Sequence, residues 1–421
     1  MATPPAPARI RLARVAIGAL FLANGALGAA VLPRLPAIRD ALGLSNAELG
    51  AAVAAMPVGG LLIGGFVGVL IARFGSGRTA IIAGAAYAAG LAGLGLASSW
   101  VTLAGAFLVV GVFDATMDAA QNAHAIGLQR AYGRSIMHGF HGMWSIGGMA
   151  GGAVGAIAAA AGTTVTVHLA AVAATIAAVV LVASRWLLPK REVDGAHVAV
   201  LATGAAPAPD QAPAQVPIHP RNAPHLLLVL GPIAMLGILC VVLQGAAATW
   251  GAVYLADVLR TAAGTAALSF VVYMAAMSAG RLTNDRWIDR FGATTVVRAG
   301  SLIAAGGIAV VIAAGVIEQV PLAFAGFAAV GFGSSPMFPV LVTAAGTRPG
   351  IPAGHGVAIV SWLVRIGLVI APALVGVAAD AVGLVAAFLI PLAAAGVIAG
   401  VAPLLTAARP LRPSVRTPPA R

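Results

Sequence analysis

The stretch Asp285-Arg286-Trp287-Ile288-Asp289-Arg290-Phe291-Gly292 stands between two long apolar runs, and its last three residues repeat Arg73-Phe74-Gly75 at an offset of 217 positions. The same offset relates His138-Gly139 to His355-Gly356, and an offset of 220 relates Gly111 to Gly331. A long-period repeat of loops and of the apolar runs around them predicts two related halves in parallel orientation.

The runs themselves predict what each half is made of. Mean hydropathy is +1.00, 60% of residues are hydrophobic and 9% are charged, a composition that excludes a soluble globular domain. Stretches long enough to cross a bilayer lie at 12–32, 47–71, 79–97, 101–122, 137–160 and 165–187 in the first half. In the second half they lie at 225–250, 264–282, 294–315, 321–345, 355–378 and 384–406. Lipid offers no partners to backbone groups, and no period-two alternation suggests a barrel, so the expected fold is all-α, twelve transmembrane helices in two pseudo-symmetric six-helix bundles. The glycine run Gly59-Gly60 to Gly64-Gly65-Gly68 is expected to be a helix-packing face.

The expected organisation is an N-terminal bundle at 1–188, a cytoplasmic flexible linker at 189–224 rich in Ala and Pro, a C-terminal bundle at 225–408, and a disordered basic tail at 409–421. Arg9, Arg11 and Arg14 precede the first run as they would in a signal peptide, but the run is long and lacks a persuasive cleavage site, so it reads as the first span. With both termini placed in the cytoplasm, twenty basic residues fall on that side and only Arg34, Arg39 and Arg260 on the other, which predicts a multi-pass inner-membrane protein. The net charge of +12 is therefore a topology signal and not a nucleic-acid footprint. The single Cys240 rules out a disulfide framework and a thiolate metal site. No nucleophile-base pair, phosphate loop or metal-protease spacing points to an enzyme, and no cofactor is expected.

Ionisable groups at membrane depth are costly, so the few present are site candidates. Asp114, Asp118 and Asn122 fall on one stripe of span four, and His138, His141 and Ser145, with Trp144 beside them, on one stripe of span five. If the two spans form a hairpin turning near Ala131, Asn122 is level with His141, and Asp118 with Trp144 and Ser145. Such a cluster suits proton exchange, or equally a structural network locking the two helices. Arg365, read as the one basic residue inside a span, either pairs with Asp114 or Asp118 or binds an anionic group on a solute. Asn24, Gln244 and Trp250 are further candidates for ligand contact, although lone polar residues in membrane helices are commonly packing contacts and Trp250 with Tyr254 also suits an aromatic belt. Glu48, Asp257, Glu318 and Asp380, near outer span ends, read as helix caps or solvated loop charges.

The loop from Gly280 through Asp285, Arg286, Asp289, Arg290 and Gly292 resembles the cytoplasmic G-x-x-x-D-R-x-G signature of the major facilitator superfamily. The first-half copy, Gly68 to Gly75 with Arg73 and then Arg78, has Ala72 where the family carries the acid that latches neighbouring helices. Leu35-Pro36-Ala37-Ile38-Arg39-Asp40, Asp118-Ala119-Ala120-Gln121-Asn122, Phe140-His141-Gly142-Met143-Trp144-Ser145 and Trp250-Gly251-Ala252-Val253-Tyr254 are similar to the YbjJ-type branch, relatives of fucose permeases. The resemblance implies a monomeric secondary transporter moving a small polar solute by alternating access, with protons as a coupling partner and no nucleic acid. In that branch span seven tends to carry two acids, and this chain has Gln244 and Thr249 there. Two other readings are a drug/proton antiporter and a non-transporting membrane sensor or assembly factor. Gly139, Gly148 and Gly152 match the antiporter spacing, but Ala153 and Ala156 replace its Pro and last Gly.

Overall fold

A computed structural model describes residues 7–133, 136–193, 223–348 and 353–403. The first six long helices are α1 Pro7–Val31, α2 Asn46–Phe74, α3 Ser76–Leu94, α4 Trp100–Tyr132, α5 Met137–Ala160 and α6 Val165–Ala183. The second six are α7 Ala223–Asp257, α8 Ala263–Phe291, α9 Ala293–Val316, α10 Val320–Gly346, α11 Ala353–Val382 and α12 Leu384–Val401. A helix therefore occupies each of the twelve predicted places. Eleven of the twelve are long and apolar enough to span a membrane on those grounds alone. The other, α3, opens on Ser76, Arg78 and Thr79, which dilute its hydropathy, and it packs between α4 and α6 like its neighbours.

Turns are set by local chemistry. Ser45 and Glu48 form a reciprocal capping box at the start of α2, and Ser99 does the same with Thr102 at the start of α4, satisfying backbone N–H groups left over at a helix end. Gly75 and Gly292, the repeated glycines, stand at φ of 86° and 81°, a conformation that a side chain disfavours, and each lets one helix end and the next begin at once.

The halves repeat in packing as well as in sequence. Helix α1 lies on α5 and α6 as α7 lies on α11 and α12, and α4 lies on α2 and α3 as α10 lies on α8 and α9. Gly111 and Gly331 are the contact points of equivalent pairs: a Cβ on Gly111 would stand 1.7 Å from the Met56 carbonyl oxygen of α2, and one on Gly331 2.2 Å from that of Tyr273 of α8. These two positions admit the backbone of a neighbouring helix and nothing larger.

Two features differ from the expected organisation. A short helix, Leu35–Leu42, follows α1 and buries Leu35 and Ile38. The linker is ordered at its start: Lys190–Val193 is a helical turn whose Val193 packs on Gly127 of α4. Residues 194–222, the tail from 404 onward, Arg134 and the side chains of His138 and His355 lie outside the described residues.

The side of the molecule carrying the start of α1 and the end of α12 is called here the terminal face. Among the described residues, the main contacts between the halves lie on the other side and in the middle. There α2 meets α11 and α5 meets α8. Pro372 packs on Gly50, Ala160 on Gly264, Phe270 on Gly152 and Met274 on Gly148. Among the described residues the contact on α2 stops at Gly60, and Gly64, Gly65 and Gly68, on the next turns, have none beside them. This corrects the expectation that the whole glycine run is a packing face. On α5 it stops at Gly148, with Gly142 and Gly139 open and His141 exposed. Among the described residues the halves thus part toward the terminal face and leave a cleft between them, its apex beside Gly60 and Gly148.

Candidate functional site

The apex of the cleft gathers most of the sequence candidates. On the N-terminal wall the Trp144 Nε1–H donates to Asn24 Oδ1 at 2.9 Å, and Asn24 Nδ2 donates to Asp114 Oδ1 at 3.0 Å. Three helices, α5, α1 and α4, are tied by these two bonds, and Asn24 is buried between them. One turn further along α4, Asp118 accepts from Asn122 Nδ2 at 3.0 Å while the same amide also reaches the Asp118 backbone carbonyl at 2.8 Å.

The register differs from the expected hairpin. Helices α4 and α5 are chain neighbours but barely touch, because α5 packs on α1. Trp144 accordingly reaches Asp114 through Asn24 of α1, and the imidazole of His141 interacts electrostatically with Asp118. Consecutive helices α4 and α5 are thus not the adjacent pair that the hairpin expectation requires.

From the C-terminal wall Arg365 of α11 crosses to the other half. Its Nη1 lies 3.1 Å from where a Cβ of Gly60 would be, beside Ala115, and the guanidinium interacts electrostatically with Asp114 and Asp118 without a hydrogen bond or ion pair to either among the described residues. A missing side chain at Gly60 makes room for a cation opposite two carboxylates. Arg281 of α8 was counted with the loops in the sequence, but it stands ten residues before the end of its helix and is half-buried, so Arg365 is not the sole cation inside a span. It falls in the last turn of the run at 264–282, where its place beside the charged Asp285–Arg290 loop made it read as a loop charge.

Two candidates lie away from open space. Gln244 Nε2 donates to the Ser334 carbonyl at 3.2 Å, at the point where α10 breaks before Pro336. The break leaves carbonyls without helical partners, and Gln244 supplies one. Trp250 is completely buried with Tyr254, packing against Gly376 of α11, so neither forms an aromatic belt at an interface.

The signature loops are related by the same twofold pattern. Arg73 lies over the Phe74 ring and Arg290 over the Phe291 ring, each with its guanidinium 5.5 Å from the centroid. Where Ala72 replaces the expected acid, Lys190 Nζ donates to its backbone carbonyl and to that of Arg73 at 3.3 Å, so the ordered start of the linker fastens the first-half loop. Arg78, Asp285, Arg286 and Asp289 are exposed, and none of them forms an ion pair among the described residues.

A model of the Major Facilitator Superfamily matches residues 17–350. The chain belongs to the Major Facilitator Superfamily. Among curated relatives, it is 31% identical over 373 residues to an uncharacterized MFS-type transporter of Yersinia pestis, covering 88% of this chain and 89% of that one. It is 28% identical to the membrane protein MosC of Rhizobium meliloti, covering 92% and 89%. Solved facilitator structures share the fold: the nucleoside transporter NupG at a TM-score of 0.71 and 12% identity, covering 94% of this chain and 99% of that one, and a D-xylose-proton symporter at 0.71 and 16%, covering 94% and 96%. An inward-facing bacterial homolog of the lysosomal transporter Spinster aligns at 0.68 and 14%, covering 95% and 97%. Facilitator membership makes the twelve-helix architecture and the membrane setting facts about this chain.

Proposed function

We propose that this facilitator is a secondary active transporter that moves a small polar solute by alternating access, with Asp114 as the proton-coupling carboxyl. The observation that carries the reading is the Trp144–Asn24–Asp114 chain at the apex of a cleft into which Arg365 reaches from the other half. A carboxyl held by a neutral amide, with a guanidinium across the gap, can lose its proton when that guanidinium approaches and regain it when the halves part. Asp118 with His141 one turn toward the open end forms a relay to water. The named neighbours include a proton symporter, which agrees with this reading.

The basic asymmetry supports a cytoplasmic terminal face in a plasma-membrane protein, and on that reading the conformation is cleft-inward and the closed side external. The two bundles rock as units about the α2–α11 and α5–α8 contacts, with 1–188 and 225–408 as the moving bodies. The loop and helix motifs support a place in the YbjJ-type branch.

The test is uptake into proteoliposomes under an imposed pH gradient, after a thermal-shift screen of sugars, organic acids, nucleosides and amines has supplied a solute. Asp114→Asn is expected to fold normally, to exchange solute down its gradient, and to lose accumulation driven by protons. Undiminished proton-driven accumulation by the variant removes Asp114 from the mechanism.

A further inference from the structure

Intramembrane cations persist where an acid or backbone carbonyls pair with them, or where they face a cavity. Arg34, at the end of α1, donates from Nη2 to the Thr163 carbonyl at 2.6 Å, but its Nε and Nη1 are sealed by packing, so no ligand has room beside them. Arg365 already stands in the field of two carboxylates. Arg281 is different from both. Among the described residues it makes no hydrogen bond and no ion pair, its electrostatic neighbours are the phenol of Tyr273 and the thiol of Cys240, and no carboxylate is among them. Its nitrogens are not among those closed off by packing.

Direction matters too. Side chains on a helix lean toward its N-terminus, and α8 runs toward the terminal face, so Arg281 leans to the midplane. Ten residues of helix, roughly 15 Å at the α-helical rise, separate it from the end of α8. Its neighbours Tyr273 and Cys240 lie on the midplane side, so the head group has not run out to the interface.

We infer that Arg281 is the anion-recognising residue of the central site and that the transported solute carries a carboxylate, an inference that rests on the transporter reading above. A guanidinium presents a planar fork of donors that a carboxylate meets with two parallel bonds. The rest of the solute is then left to the Asp114 and Asp118 wall, which suits hydroxyl or amine donors. The cleft is polar in a fixed sense, with acids on the N-terminal half and the uncompensated base on the C-terminal half. A solute with an anionic end and a donor end fits it in one orientation and touches both halves at once.

The experiment is thermal stabilisation of the purified full-length protein by matched pairs: D-gluconate against D-sorbitol, D-glucuronate against D-glucose, L-lactate against propane-1,2-diol, and succinate against butane-1,4-diol. At least one carboxylate is expected to raise Tm by several degrees where its neutral counterpart does not. Arg281→Gln is expected to keep the ligand-free Tm and lose the shift, and Arg281→Lys to keep part of it. The proposal is overturned if no carboxylate stabilises the protein, if the neutral member does so equally, or if Arg281→Gln retains the shift. It is also overturned if Arg281→Gln does not fold, since a residue without partners has none to lose. A neutral solute that stabilises wild type and Arg281→Gln alike, but not Asp114→Asn, leaves the transport site standing and removes only the anion.

Discussion

Arg39 and Asp257 form a two-pronged ion pair across the halves: Nη2 meets Oδ1 at 2.8 Å and Nη1 meets Oδ2, while the same guanidinium also donates to Asn46 Oδ1 at 2.9 Å and contacts Asp40. Arg39 sits on the short helix after α1 and Asp257 ends α7, so the pair spans the closed side opposite the cleft. Close by, both oxygens of Asp380 at the end of α11 accept backbone N–H groups of α2, Asn46 at 3.0 Å and Ala47 at 2.8 Å. Of the outer acids that read as caps or loop charges, Asp257 and Asp380 therefore join the two bundles, while Glu48 is the helix cap expected of it.

Breaking the ion pair is expected to free the closed side. Spin labels at Ala41 and Ala381, in a Cys240→Ser background, report the separation of the two lips. Asp257→Asn lengthens the distance distribution, and the exchange Arg39→Asp with Asp257→Arg restores it. The pair is partly exposed, so its contribution is about 1 kcal/mol and falls with salt. An unchanged distribution in Asp257→Asn shows that the pair does not hold the lips.

Asp380→Ala removes an acceptor that caps a helix of the other half. Such caps contribute about 1 kcal/mol. The same spin-label pair opens in this variant, and Tm falls, while Asp380→Asn, which retains an acceptor oxygen, shows a smaller effect. Equal effects of the two replacements point to loss of charge and not of capping.

Glycines of α2 and α4 are expected to separate by role. Gly111→Ala drives a methyl into the Met56 carbonyl and costs about 1–3 kcal/mol or more, seen as a clear fall in Tm. Gly64→Ala, with open space beside it, leaves Tm unchanged. Gly60→Ala folds, because the atom it meets is the far end of the Arg365 side chain, but transport falls as the guanidinium is pushed from the carboxylates. Wild-type transport by Gly60→Ala dismisses the placement of Arg365 as functional.

Trp144→Phe keeps the ring volume nearly intact and deletes the donor to Asn24. Leaving the buried Asn24 oxygen without a partner costs about 1–3 kcal/mol. Both Tm and the rate of transport are expected to drop, whereas Trp250→Phe, which has no hydrogen-bonded Nε1 to lose, lowers Tm only by its packing. Equal transport by Trp144→Phe and wild type removes the Trp144–Asn24 bond from the mechanism.

Much of the site was legible in the chain because its signals are local. Asp114, Asp118 and Asn122 share a stripe through helical periodicity alone, and Asn122 does bond Asp118 as that spacing allows. The link from Asp114 to Trp144 was not legible, since it depends on α1 lying against both α4 and α5. Arg281, in the last turn of the run at 264–282, was missed because hydropathy does not tell the end of a span from the charged residues that follow closely.

What the sequence by itself determined is the number of spanning helices, their division into two related bundles and most of the polar residues inside them. Each of these follows from the length of apolar runs and from a repeat that can be read along one dimension. Only the tertiary structure decided which side is closed and which charges face each other across the cleft. The reason is physical: membrane helices choose partners by where small residues let backbones approach, as at Gly111 and Gly331, and chain order does not specify that choice.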